Sequence, residues 1–279
     1  MKKLVLIVGV LLIPLSIFAN SVTVELENDI LYKTDQRYTH GTKITYEYND
    51  LFWSIGQNIY TPTDITSETA ITNDRPYSGT LYMSLKGTKQ WEDRDIFHQL
   101  ELTIGVAGGP SLAEETQILM HEAFDAREPM GWEYQVDDML LLQGSLKVFG
   151  EVLTTKYLNL RVFVGGDLGT VITRGGFGGN IIAGYNIPHN LHKPIISKRS
   201  NFSLYAFGEA FEQHVFFNKL LESDYTDITT VDSVLNIRAG VGISYKGVDL
   251  RYAYVIRTRE FVEQVDSSKY GSIYVKFDI

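Results

Sequence analysis

Cysteine is absent from the 279-residue sequence, which excludes thiol catalysis, cysteine-zinc sites, a disulfide-stapled scaffold and a lipid anchor on an N-terminal cysteine. A basic surplus is also missing. Lys and Arg number 25 against 34 Asp and Glu, a formal charge of −9, so nothing offsets a phosphate backbone and nucleic acid is not an expected partner. Low-complexity tracts are absent, and with 44% hydrophobic and 21% charged residues the composition is that of a folded domain, not a disordered chain. Beyond the N-terminus there is no run of 18 apolar residues, which excludes a helical membrane span from the exported chain.

What is present begins with a leader pattern. Lys2 and Lys3 precede an apolar run from Leu4 to Phe18, broken by Pro14 and Ser16, and Ala19 then stands before polar Asn20 and Ser21. The run is shorter than the roughly 20 residues of a spanning helix, and Ala19 is small enough for the last position before cleavage. The reading is a signal peptide over 1–19 and one domain over 20–279. The competing reading is an uncleaved anchor helix, because Ile17 is bulky for a cleavage site.

The rest of the chain alternates. Val248, Leu250, Tyr252, Tyr254 and Ile256 interleave with Asp249, Arg251, Ala253, Val255 and Arg257, and the same period of two recurs at Leu100–Val106, Leu158–Val164 and Leu235–Tyr245. One face of each segment is apolar and the other is polar, charged or glycine-rich, as in a strand. Such faces suit a soluble sandwich or an outer-membrane barrel. The number and length of the strands, the 17 Tyr and 14 Phe with aromatics near strand ends, and an amphipathic final strand over 272–279 favour the barrel. Candidate strands fall at 22–27, 38–48, 51–60, 79–88, 98–107, 138–149, 156–166, 178–186, 201–212, 231–245, 247–259 and 270–279. The fold class is therefore all-β, an antiparallel transmembrane barrel of about 12 strands, with Glu101, Arg161, Arg238, Asp249 and Arg251 pointing into the interior.

One stretch departs from this period. Ser111 to Phe124 lacks Gly and Pro, and Leu112, Ile118, Leu119, Glu122 and Ala123 recur at helical spacing. Ser111 with Glu114 reads as a capping box, and Glu114 and Glu115 suit the positive end of the helix dipole. A short helix is thus expected in a mouth loop running from Gly108 to Asp137.

Residues able to carry chemistry cluster in the N-terminal half. Asn28 and Asp29 break the alternation set by Val22, Val24 and Leu26, although from this segment alone an Asx turn is the favoured account of such a pair. Gln117 and His121 lie one helical turn apart, where an imidazole and an amide can hold a water and remove its proton near neutral pH; a solvated helix face explains them as well. Asp74 and Arg75 before Pro76 mark a turn leading into a strand.

In this order, these segments resemble the outer-membrane lipid A 3′-O-deacylase (LpxR) family. The resemblance rests on Asn28-Asp29, Tyr38-Thr39-x-Gly41, Gln57 to Pro62, Asp74 to Gly79, Gln117-x-x-x-His121 and Pro129 to Trp132; the C-terminal half is similar only as a barrel. It implies a twelve-stranded barrel that uses Ca2+ to hydrolyse the 3′-linked acyl or acyloxyacyl ester of lipid A, with the site between barrel wall and outer leaflet. It further implies that His121 is the general base, that Asn28 and Asp29 hold the imidazole or the metal region, and that Thr39 and Gln117 line the site. Calcium suits that chemistry, being a hard cation with a preference for oxygen ligands that can polarise an ester carbonyl.

The pattern departs from the family in two places. A functional lysine belongs in the loop where 63–73 has none, and an acidic residue is expected shortly after the histidine, where Glu122, Asp125 and Glu128 all stand. Two other functions compete: a barrel without chemistry, such as a small porin or adhesin, and a phospholipase barrel. The second would need a serine and a histidine on adjacent strands, and no such pair stands out.

Overall fold

The computed structural model describes residues 20–29, 37–91, 96–188 and 202–279. The expected leader at 1–19 lies outside the described residues. Among them, twelve strands close into an antiparallel barrel: β1 (Ser21–Asn28), β2 (His40–Tyr48), β3 (Leu51–Tyr60), β4 (Ser78–Gln90), β5 (Ile96–Ala107), β6 (Met139–Thr154), β7 (Leu158–Gly169), β8 (Ile172–Tyr185), β9 (Ser203–Asn218), β10 (Ser233–Tyr245), β11 (Val248–Arg257) and β12 (Ser268–Asp278). Each strand pairs with its sequence neighbours, and β1 closes on β12 with Val24 opposite Val275. Closure leaves no unpaired edge, which the hydrocarbon region requires of a sheet. Among the described residues, no helix is long and apolar enough to cross a membrane.

The alternation sorts as the sequence indicates. Glu25 and Glu27 of β1, Lys43 of β2, Glu101 of β5, Arg238 of β10 and Arg251 of β11 line an interior cavity of about 610 Å³. Leu100, Val162, Val241 and Leu250, one residue out of phase, lie exposed on the outside. Inside, charges are paired: Lys43 with Glu25 at 2.8 Å, Arg238 with Glu27 at 2.6 Å, Lys276 with Glu47 at 2.8 Å and Arg251 with Asp249 at 2.8 Å. Pairing offsets the desolvation that an isolated interior charge would suffer.

Toward the end where β1 begins, Phe97, Phe149, Phe163 and Phe211 pack into a plug, with Phe97 and Phe149 stacked at 4.4 Å. Beside it, Arg161 is buried and bonded to Glu151 at 2.6 Å. On the outer surface of that same end, Tyr48, Trp53, Trp91, Tyr157, Tyr185 and Tyr245 are exposed, the aromatic girdle of a membrane interface.

Two expectations need correction. The strands placed at 178–186 and 201–212 run over Ile172–Tyr185 and Ser203–Asn218. The extension of β8 passes through a glycine-rich stretch, 174–179, that carries almost no side-chain alternation. Its Gly178 faces inward under Phe163, where an added Cβ would lie 2.6 Å from the ring. The second correction concerns the helix, here α1 (Ala113–Phe124). Ser111 is not its cap. The hydroxyl of Ser111 donates to the Gly108 carbonyl at 2.6 Å within a short 3-10 turn, and Leu112, with left-handed φ of 57°, precedes the helix without any side-chain cap bond. A capping serine needs extended backbone just before the helix, and the tight 109–111 turn takes that position away.

Candidate active site

The site is built on the outside of the wall. Thr23, Glu25 and Glu27 of β1, Lys43, Thr45 and Glu47 of β2, and Asn58 and Tyr60 of β3 line the interior. Asn28, His40, Thr42, Gln57 and Ile59 have the opposite parity and therefore face outward. Register aligns them in rows: Asn28 opposite His40, His40 opposite Ile59 and Ile59 opposite Gly79, with Leu26, Thr42, Gln57 and Leu81 in the row beneath. The next outward row, Val24, Ile44, Ile55 and Met83, is wholly apolar. A polar notch thus interrupts a lipid-facing surface, and polar groups at membrane depth mark functional sites.

One flank of the notch is covered by α1. At Gly79 an added Cβ would lie 2.2 Å from the Ala113 Cβ and 2.3 Å from Ser111 Oγ, so only glycine admits the helix this close to the wall. Gln57 Nε2 donates to the Ser111 carbonyl at 2.7 Å, and Ile59, Tyr77, Ala113 and Trp132 form a buried cluster. Gln117 is buried one turn further along the helix. Its Oε1 accepts from Trp132 Nε1 at 2.9 Å, while its Nε2 is buried with no hydrogen-bond partner among the described residues.

His121 lies in the last turn of α1, which ends at Asp125 in the left-handed region with φ of 53°. The chain reverses there: Ala126 N donates to the His121 carbonyl at 2.9 Å, and His121 Nδ1 meets the Arg127 carbonyl. A carbonyl can only accept, so Nδ1 carries the proton and the lone pair of the neutral ring is on Nε2.

At the opposite flank, Asn28 Nδ2 donates to the Thr39 carbonyl at 2.9 Å across the β1–β2 connection, and Asp29 follows it, buried. Thr39 Oγ1 and Thr61 Oγ1 are hydrogen-bonded at 2.7 Å. Asn28 and Thr39 are thus joined at the rim, with Asp29 next in the chain, and Gln117 and His121 share the helix. Ile59 stands between the two groups, since its carbonyl accepts from Thr39 N at 3.1 Å and its side chain packs on Ala113 and Trp132.

Glu122, Asp125 and Glu128 are all exposed. Partial burial, with the Glu115 carboxylate adjoining, pushes the Glu114 carboxyl up, whereas the Thr66 hydroxyl and amide hold Asp64 below the usual carboxylate range. The sequence reading assigned no role to His40, Thr42, Gln57, Thr61 or Trp132. For the first three, a signal was available, because each is polar at a position whose parity is otherwise apolar.

A closed barrel with charged interior, aromatic girdle and a helix-flanked polar notch on its outer wall defines an outer-membrane barrel whose candidate chemistry faces lipid, not the lumen. The family model described as Outer membrane protein LpxR matches residues 4–279, and the chain belongs to that family of lipid A-modifying barrels in the bacterial outer membrane. The structure is similar to LpxR from Salmonella typhimurium, with a TM-score of 0.81 and 19% identity over 93% of this chain and 100% of that one. The NanC porin (TM-score 0.45, 8% identity, 92% and 100% covered) and the beta domain of the Bordetella autotransporter BrkA (TM-score 0.44, 9% identity, 94% and 99% covered) are far more distant. No curated protein sequence gives a significant match.

Proposed function

We propose that this protein hydrolyses the 3′-linked acyl or acyloxyacyl ester of lipid A in the outer leaflet, with His121 as general base. The observation that supports it most is the polar notch on the lipid-facing wall, flanked by the helix that carries Gln117 and His121. A lipid substrate can enter such a site from the bilayer without leaving it.

Nε2 of His121 takes a proton from water as the water oxygen bonds to the ester carbonyl carbon, forming a tetrahedral oxyanion. When the C–O bond to the sugar breaks, the imidazolium returns the proton to the departing 3′ oxygen. The products are a fatty acid and a free 3′ hydroxyl. The Arg127 carbonyl fixes the ring and stabilises its charged form, and Trp132 fixes the Gln117 amide beside it. No serine nucleophile is needed.

Calcium fits the donor chemistry of the rim. Asp29 supplies a carboxylate and Asn28 an amide oxygen, the ligand types a hard cation takes along with water. Among the described residues no three His, Asp or Glu side chains form a metal-binding group, so amide oxygens and water would complete a shell around Asp29. When bound, the ion supplies positive charge that polarises the ester carbonyl.

Mass spectrometry of lipid A from cells expressing the wild-type protein should show loss of one 3′ acyl or acyloxyacyl group, and cells expressing His121→Ala should not. Unchanged lipid A with the wild-type protein, or lysophospholipid as the product instead, would overturn the reading.

A further inference from the structure

We infer that His40 is the wall-side hydrogen-bond donor to the carbonyl oxygen of the substrate's ester, an inference that rests on the proposed deacylation. His40 opens β2 on its outward face, in the first polar row between Asn28 and Ile59. Its Nε2 lies 2.6 Å from Thr42 Oγ1, and its Nδ1 is buried with no hydrogen-bond partner among the described residues. On a wall that faces hydrocarbon, an unpaired polar atom is costly and water is scarce. The geometry allows either group to donate, and the Thr42 hydroxyl is taken as the donor, which sets the tautomer that the ring 15N shifts test. With Nε2 accepting from Thr42, the neutral ring carries its proton on Nδ1. The missing partner is therefore an acceptor.

The depth and charge of the notch select which acceptor. Neither polar row, Asn28, His40, Ile59 and Gly79 or Leu26, Thr42, Gln57 and Leu81, contains Lys or Arg. A phosphate would be poorly held there, whereas a neutral ester carbonyl needs only a neutral donor. Directly beneath, Val24, Ile44 and Ile55 offer an apolar track for the chain attached to that carbonyl. An ester at the first row with its acyl chain along the third matches headgroup-side polarity to tail-side apolarity.

Three replacements separate the two ring nitrogens. The amide nitrogen of Asn occupies the place of Nδ1, that of Gln the place of Nε2, and Leu supplies neither. In the full-length protein acting on lipid A in mixed micelles, His40→Leu and His40→Gln should lose about 10²-fold in kcat with KM little changed, as for removal of one oxyanion donor. His40→Asn should stay within about tenfold of wild type. Thermal unfolding in detergent should be alike for all three variants. If the wild type deacylates while all three variants match it, or if Gln rescues and Asn does not, this inference fails and the proposed function stands. If the wild type shows no deacylation, the proposed function fails; 15N shifts of the His40 ring then still decide the tautomer, and a proton on Nε2 overturns the assignment by itself.

Discussion

The indole nitrogen of Trp132 donates to Oε1 of Gln117 at 2.9 Å, with both side chains buried. That bond ties the 132–134 turn to the middle of α1 and fixes which way the Gln117 amide presents its nitrogen. Trp132→Phe keeps most of the apolar contact with Tyr77 and Ile59 but leaves Oε1 buried and unpaired. It should cost about 1–3 kcal/mol in stability, read by urea unfolding in detergent. Deacylation should fall with it, and an unchanged rate would show that the amide needs no fixing.

Gly79 tests the seating of the helix separately. Because an added Cβ would overlap Ala113 and Ser111, Gly79→Val should push α1 off the wall while β4 stays paired to β3 and β5. The expected result is a barrel that still folds and inserts, with activity reduced at least about tenfold, as small misplacements of catalytic groups produce. Wild-type activity in this variant would mean that α1 is not part of the site.

For the base, His121→Ala should slow the chemical step by about 10²- to 10⁴-fold, and Gln117→Ala by less, since water can partly replace an orienting amide. Combining His121→Ala with Asp29→Ala decides whether the two flanks act together. Residues of one unit give a double loss close to the larger single loss, whereas independent residues give the product.

Metal dependence gives the fourth expectation. A calcium chelator should abolish hydrolysis, and calcium, not zinc, should restore it, since the rim offers oxygen donors and the chain has no cysteine. Full activity in excess chelator would remove the ion from the mechanism.

Much of the barrel could be read from alternation alone. The apolar set through Leu250 and Val162 and the charged set through Arg238 and Arg251 each follow a period of two that the pleat itself imposes, so facing in or out is a local property. The terminal strand follows the same logic, and the helix expected within 111–124 shows through its own period of 3.6. Glycine-rich stretches such as 174–179 escaped it because, apart from Arg174 and Phe177, they carry no side chains to alternate.

The site is another matter. That Asn28 meets Thr39, that Ile59 stands between Thr39 and Trp132, and that Gly79 admits Ala113 depend on the register of four strands and on a long loop folding back over the outer wall. The sequence by itself determined which residue types could do chemistry and which face of each strand meets lipid. Only the tertiary structure decided that Ser111 turns back to Gly108 instead of capping the helix, and that His40 and Thr42 share the wall with Asn28. Parity is set residue by residue, whereas convergence requires every intervening strand pairing to be fixed at once.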